Sequence, residues 1–308
     1  MAPRRSDSHR HGVDPHRGRW RGHCIYLWQF AETPEFGLAM LRLILRTYTA
    51  AVFAFIFAPI AVSFIFSFSE NRFPTLPLNQ FSTIWYSKVF EEPAFLEAFL
   101  RSLFVAGIVA PISSFIGFGA AYVDYRYKFL GQGFYVALGT IPPMIPLVIL
   151  GVAMLMFLTQ LGLSGSLHSV IIAHVVLCVP FAMALNRLRL SQMDPNIEAA
   201  AWNLGADEWR TMRLIVVPFC LPSILSSLFV TAAISLDEFI IAWFVSGLQE
   251  TLPVRVLNLV SRQASPSVNA IGSMTFTLSL GLVVLAQLFL VGNFRRSAKR
   301  RALNGKQP

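Results

Sequence analysis

Two adjacent carboxylates, Asp237 and Glu238, stand inside an otherwise uncharged apolar run, SLDEFIIAWFVSG. An ionisable side chain at membrane depth costs a few kcal/mol unless it faces a cavity or a partner, so such a pair reads first as functional. With Phe239 beside them and Trp243 one helical turn on, the two carboxylates could stabilise a passing cation, by charge and by the negative faces of the rings. Pairing with Arg255 or Arg262 in the following polar segment is the structural alternative, and snorkelling to an interface is another. Neighbouring side chains on a helix diverge by about 100°, so only one of the two can face a pathway squarely. Asp237 is expected there, and Glu238 beside a loop arginine.

Other reactive residue types form no constellation. Cys24, Cys178 and Cys220 have no metal-ligand spacing, and an odd number of cysteines argues against a disulfide framework. His9, His11, His16 and His23 are irregularly spaced in a basic, Pro/Gly-broken stretch, a pattern of adventitious metal affinity rather than of a site. His168 and His174 read as hydrogen-bonded packing residues near the outer end of an apolar run. The chain lacks the G-x-x-x-x-G-K-[ST] phosphate loop, so hydrolysis of ATP by that route is excluded and energy must come from a partner or a gradient. No catalytic residue, metal site or cofactor is expected in the chain itself.

The longest polar interruption of the second half is EAAAWNLGADEWRTMRLIVVPFCLP, residues 198–222. Asp194-Pro195 is a helix start, because Asp caps and Pro suits the first turn, and the Ala-rich residues that follow favour helix. Gly205 ends that helix, since a residue without Cβ enters the left-handed C-terminal position cheaply. Asp207 or Glu208 opens a second short helix carrying Trp209, Met212, Arg213 and Val216, before Pro218 and Pro222 reset the backbone. Trp202 and Trp209 exposed on such a pair make a partner-binding surface; a loop lying on lipid headgroups is the bland alternative.

Elements long enough to carry these residues are easily placed. The chain of 308 residues is 55% hydrophobic and only 13% charged, a composition too apolar for a soluble protein of this size. Apolar runs at 47–68, 102–123, 135–158, 169–185, 221–245 and 271–292, free of Asp, Glu, Lys and Arg apart from Asp237 and Glu238 in the fifth, are each long enough to cross a hydrocarbon core. The third contains Pro142, Pro143 and Pro146, which should break its first half. Small residues in the second, Gly107, Ser113, Ser114, Gly117, Gly119 and Ala120, suit close helix packing in lipid. Asp237 falls about 16 residues into the fifth run, or roughly 24 Å from its inner end. With the first tail inside, 20 of the 25 Lys and Arg residues lie on one side, which orients both termini and residues 187–218 to the cytoplasm. The net charge of +9 is thus explained by topology, and no nucleic-acid partner is needed. Residues 1–41 read as a disordered basic cytoplasmic tail, 42–294 as the membrane domain, and 295–308 as a second basic tail.

The cytoplasmic stretch also resembles the "EAA loop" of permease subunits of bacterial ABC importers. The resemblance rests on Ala199 and Ala200 before Gly205, on Ala206 after it, and on Ile215 and Pro218. The family's Glu register falls on Ala199, and the Glu of this chain lies one residue earlier, at Glu198. Beyond the loop, FSTIWYSKVF with FLEAFLRSL, the YRYKFLGQ turn, SLDEFIIAWFVSG and TLPVRVLNLVSRQASPSVNA are similar to the spermidine/putrescine branch, covering roughly residues 42–294. The resemblance implies an all-α, six-span permease of the type I importer fold in a bacterial inner membrane. It implies that Glu198, Ala199, Ala200, Gly205, Ala206, Ile215 and Pro218 belong to a coupling helix that docks on a separate ATPase. It also implies two ATPase subunits that bind the ATP, a second homologous permease, a periplasmic solute-binding protein, and a polyamine passing Asp237, Glu238, Phe239 and Trp243. Importers of other small organic solutes look much the same. An intramembrane enzyme would need paired catalytic groups on adjacent spans, and a gradient-driven carrier an internal repeat and further intramembrane charges; the sequence shows neither pattern.

Overall fold

The computed structural model describes residues 34–70, 80–262 and 267–304. In chain order its helices are α1 (Pro34–Phe66), α2 (Ile84–Glu91), α3 (Pro93–Arg126), α4 (Gln132–Thr140), α5 (Leu147–Gln160), α6 (Leu167–Leu190), α7 (Pro195–Asn203), α8 (Glu208–Thr211), α9 (Val217–Asp237), α10 (Ile240–Val245), α11 (Leu252–Arg262) and α12 (Ser267–Asn304). Among the described residues there is no strand, only an isolated bridge between Ser69 and Phe81. The all-α expectation holds.

Five stretches are long and apolar enough to cross a membrane, those at Gly37–Phe66, Pro93–Arg126, Leu167–Leu190, Glu208–Asp237 and Ser267–Phe289. The remaining crossing is a broken one. Pro142, Pro143 and Pro146 remove three backbone donors within five residues, so the expected run at 135–158 becomes α4, a 3-10 turn at Pro142–Met144, and α5. The fifth crossing departs further from expectation: instead of one helix at 221–245, α9 ends at Asp237 and α10 restarts at Ile240. At its N-terminal end the same crossing starts early, through α8 and a π-helical turn at Met212–Val216. Pro218 explains that turn. It cannot donate to the carbonyl four residues back and its ring crowds that carbonyl, so the preceding turn widens and Val217 N–H reaches Met212 O instead.

The chain divides at Ile60 into two compact units. In the first, the described part is one apolar helix, with Phe55 83% exposed, a surface that suits hydrocarbon rather than water. Residues 34–41 already belong to α1, so the expected tail boundary at residue 41 is not a structural one; the rest of that tail lies outside the described residues. At the other end α12 carries the helix through to Asn304.

The second unit is organised by α3, α6 and α9. Lipid offers no hydrophobic drive for helix association, so close packing and interhelical hydrogen bonds take its place. A Cβ on Gly117 would lie 2.5 Å from Ala182 Cβ, so the glycine is what lets α3 meet α6. Ser114 Oγ and Ser227 Oγ are 2.7 Å apart, Ser223 Oγ donates to Asn186 Oδ1 at 2.9 Å, and Asn186 Nδ2 donates to Ser227 Oγ at 3.3 Å. These buried groups satisfy one another along the seam where α3, α6 and α9 meet. Ser226 Oγ extends the pattern to Ala286 O of α12 at 2.8 Å.

Candidate functional site

The loop between α6 and α9 is built as its residues dictate. Asp194 Oδ1 accepts from Asn196 N–H at 2.9 Å, capping α7, and Asp207 Oδ1 accepts from Arg210 N–H at 2.7 Å, capping α8. Gly205 has φ +85°, and the backbone closes around it with Gly205 N–H on Trp202 O and Ala206 N–H on Ala201 O. That double closure is the Schellman arrangement, which needs a left-handed residue at the glycine's position. Ala199, Ala200, Trp202, Leu204, Trp209 and Pro218 are exposed, Ala206 and Ile215 half-buried. Leu204 at 89% and Trp209 at 71% exposure put large apolar groups at the tip of a polar loop.

Glu198 does not share that outer surface. It is buried, and its Oε2 lies 3.4 Å from Nε of Arg126, the last residue of α3. The Arg126 guanidinium also lies over the Trp202 ring, 4.4 Å from its centroid, and reaches Glu208 Oε1 at 3.8 Å. Burial pushes the Glu198 carboxyl up from the usual range, Arg126 pulls it back, and Glu208 adds to the rise. Beside this cluster, Asp124 is held by Arg187 Nε at 2.5 Å and by Gln132 Nε2 at 2.9 Å, which ties the ends of α3, α4 and α6 together.

The two carboxylates of the fifth crossing have separate fates. Glu238 is buried: its Oε1 accepts from Ile241 N–H at 2.9 Å and its Oε2 from Ala242 N–H at 3.0 Å. These are two of the orphan donors at the start of α10, and in a dry interior they require an acceptor. His174 Nε2 stands 3.3 Å from Glu238 Oε2, and its Nδ1 is 3.0 Å from Ser235 Oγ. The expected pairing of Glu238 with a loop arginine is therefore corrected: Arg255 binds Glu92 at 2.9 Å and Glu250 at 3.6 Å, and the Arg262 side chain lies outside the described residues. The Glu92 hydrogen bond raises the pKa of Arg255 further.

Asp237 is exposed and keeps one hydrogen bond, from Ser279 Oγ at 2.9 Å. It lines two hollows. One, of about 630 Å³, is walled by Pro143, Leu177, Phe181, Val230 and Ile234; the other, of about 510 Å³, by Leu252, Val256, Val260, Thr275 and Phe276. Phe239 borders both. Trp243 borders neither, and packs its ring against Phe244 at 5.1 Å between centroids. Of the four expected pathway residues, the structure thus brings Asp237 and Phe239 to both hollows and Glu238 to the wall of the first, though its carboxylate oxygens cap α10, and turns Trp243 away.

The fifth crossing thus joins a broken, carboxylate-bearing segment at two hollows to the capped helix pair α7–α8 at its other end. Residues 113–296 match the model of the family described as binding-protein-dependent transport system inner membrane component. The chain belongs to that family. It is 33% identical, over 81% of its length and 97% of the relative's, to the spermidine/putrescine transport system permease protein PotC of Haemophilus influenzae. It is 30% identical to the putrescine transport system permease protein PotI of Escherichia coli, over 81% of this chain and 90% of the relative. The molybdate/tungstate transport system permease protein WtpB of Thermococcus kodakarensis is 29% identical over 80% and 98% of the two chains. Among solved structures, a bacterial alginate ABC transporter in complex with its periplasmic protein shares the fold, with TM-score 0.64 at 14% identity, covering 80% of this chain and 92% of that one.

As an inner membrane component of a binding-protein-dependent system, the chain is a transport subunit. Sequence reasoning missed Arg126, Asp124 and the His174–Glu238 contact. Arg126 falls in the YRYKFLGQ turn, and nothing local in the sequence ties it to Glu198.

Proposed function

We propose that this permease is the membrane-spanning subunit of an ATP-driven importer of polyamines, coupled to a separate ATPase through residues 198–218. Asp237 carries the reading of a cationic substrate: it is an exposed carboxylate that lines two largely apolar hollows, while its neighbour Glu238, which lines the first of them, has its oxygens occupied in capping α10. An ammonium group would be stabilised by Asp237 and the Phe239 face, and its methylene chain by the apolar walls. The permeases of the polyamine systems in two bacteria are 30% and 33% identical to it. Two ATPase subunits bind the ATP, a second homologous permease completes the pathway, and a periplasmic protein delivers the solute. The chain itself holds no cofactor. Both termini face the cytoplasm, as the distribution of Lys and Arg favours.

A second reading is an importer of another small solute: the relative from Thermococcus kodakarensis belongs to a molybdate/tungstate system, whose inorganic oxyanions differ in charge from a polyamine. The test is to purify the chain with its partner subunits, reconstitute it, and measure which solute stimulates ATP hydrolysis and uptake. Spermidine or putrescine should stimulate both. Asp237→Asn should lower uptake about tenfold at equal membrane abundance, the loss of roughly 1.4 kcal/mol from one charge contact. Wild-type uptake by this variant would remove Asp237 from the pathway.

A further inference from the structure

We propose that Arg126 is the positioning residue that yokes both helices of the cytoplasmic loop to the end of α3, so that a displacement of the loop becomes a displacement of the transmembrane core. The inference rests on the reading that the loop docks on an ATPase, and adds the residue through which the dock is connected to the spans.

The geometry points to this one side chain. Arg126 is the last helical residue of α3, and Tyr127 after it is extended, with φ −106° and ψ 132°. From that position a single guanidinium reaches Glu198 of α7 at 3.4 Å, the ring of Trp202 of α7 at 4.4 Å, and Glu208 of α8 at 3.8 Å. The Glu208 side chain is 72% exposed and its contact is weak. The Glu198 contact is the strong one, because the carboxylate is buried and its other oxygen, Oε1, has no hydrogen-bond partner. Removing Arg126 would leave a buried carboxylate with neither oxygen paired to a cation.

The faces of the loop divide accordingly. Leu204 and Trp209 are exposed and free for a partner, whereas Met193, Glu198, Ala201 and Thr211 are buried. Docking and transmission are therefore separable by mutation. A planar guanidinium can pair with a carboxylate and stack on an indole at once, which an ammonium cannot.

The experiment uses the full complex in proteoliposomes and reads three quantities: ATPase bound per permease, ATP hydrolysed, and solute taken up per ATP. Arg126→Ala should keep the ATPase bound, yet lower uptake per ATP about tenfold. Arg126→Lys should recover only part of it. Arg126→Glu combined with Glu198→Arg should exceed both single variants. Wild-type uptake per ATP in Arg126→Ala would overturn the proposal. Loss of bound ATPase in that variant would also overturn it, by making Arg126 part of the dock. An absence of any gain in the charge swap would overturn the pairing with Glu198. Leu204→Asp reads the docking surface separately: if it leaves the ATPase bound, the docking reading fails on its own, whatever Arg126 does.

Discussion

Glu198 is where the sequence and the packing pull in different directions. Its neighbours Ala199 and Ala200 are exposed, as a docking helix requires, but a one-residue step turns a helical side chain by about 100° and sends Glu198 inward. Burial raises its pKa above the ordinary 4.5, with Arg126 opposing. The folded loop therefore binds this proton more tightly than the unfolded chain does. The sign follows: the stability contributed by the protonated form is complete below 4.5 and is lost as pH rises through the folded-state value. Glu198→Gln should flatten that dependence, so thermal unfolding of the solubilised complex, measured against pH upward from 4.5, should fall more in the native chain than in the variant. Parallel curves would show that Glu198 is not buried in the complex. The inward turn of Glu198 was legible as a register shift, but not its partner. Arg126 lies on another helix, and its ordinary place at the end of a span explains it without any contact.

Broken helices show what kind of information an element-level pattern carries. The break between α4 and α5 was legible, because Pro142, Pro143 and Pro146 act through their own rings and missing donors. The break after Asp237 was not, since Glu is a good helix former and nothing in SLDEFIIAW interrupts a helix locally. It exists because a buried carboxylate offers the new helix two acceptors, and because His174, on α6, stands against it. Glu238→Ala should remove both acceptors, leave the Ile241 and Ala242 amide donors unpaired in the interior, and cost about 2–4 kcal/mol. Glu238→Gln, which keeps one carbonyl acceptor, should cost roughly half of that. Asp237→Asn should cost little stability, because Asp237 is exposed. Differential scanning of the three variants in detergent checks the ranking; equal losses for Asp237→Asn and Glu238→Ala would mean that α10 does not depend on its cap.

Across the whole molecule, composition and charge were the most informative signals. The hydrocarbon core demands long apolar runs whatever the detailed packing, and five of these runs became crossing helices while the Pro-rich one became a broken pair. Orientation is a separate inference, carried by the 20 Lys and Arg assigned to the inner side out of 25. It can be tested at turns that the structure leaves open to solvent. Leu130, in the turn between α3 and α4, and Leu204, in the loop between α7 and α8, should both be cytoplasmic; Leu248, between α10 and α11, should be periplasmic. All three are at least 89% exposed, so a cysteine there meets reagent without unfolding anything. Cys178 and Cys220 are buried and give little background, and Cys24→Ser removes the third thiol. A membrane-impermeant maleimide added to intact cells with a permeabilised outer membrane should label Leu248→Cys within minutes and spare Leu130→Cys and Leu204→Cys until the inner membrane is opened. The reverse pattern would put Leu204 and Trp209 on the far side from any ATPase, and the docking role of the loop would fall with the topology.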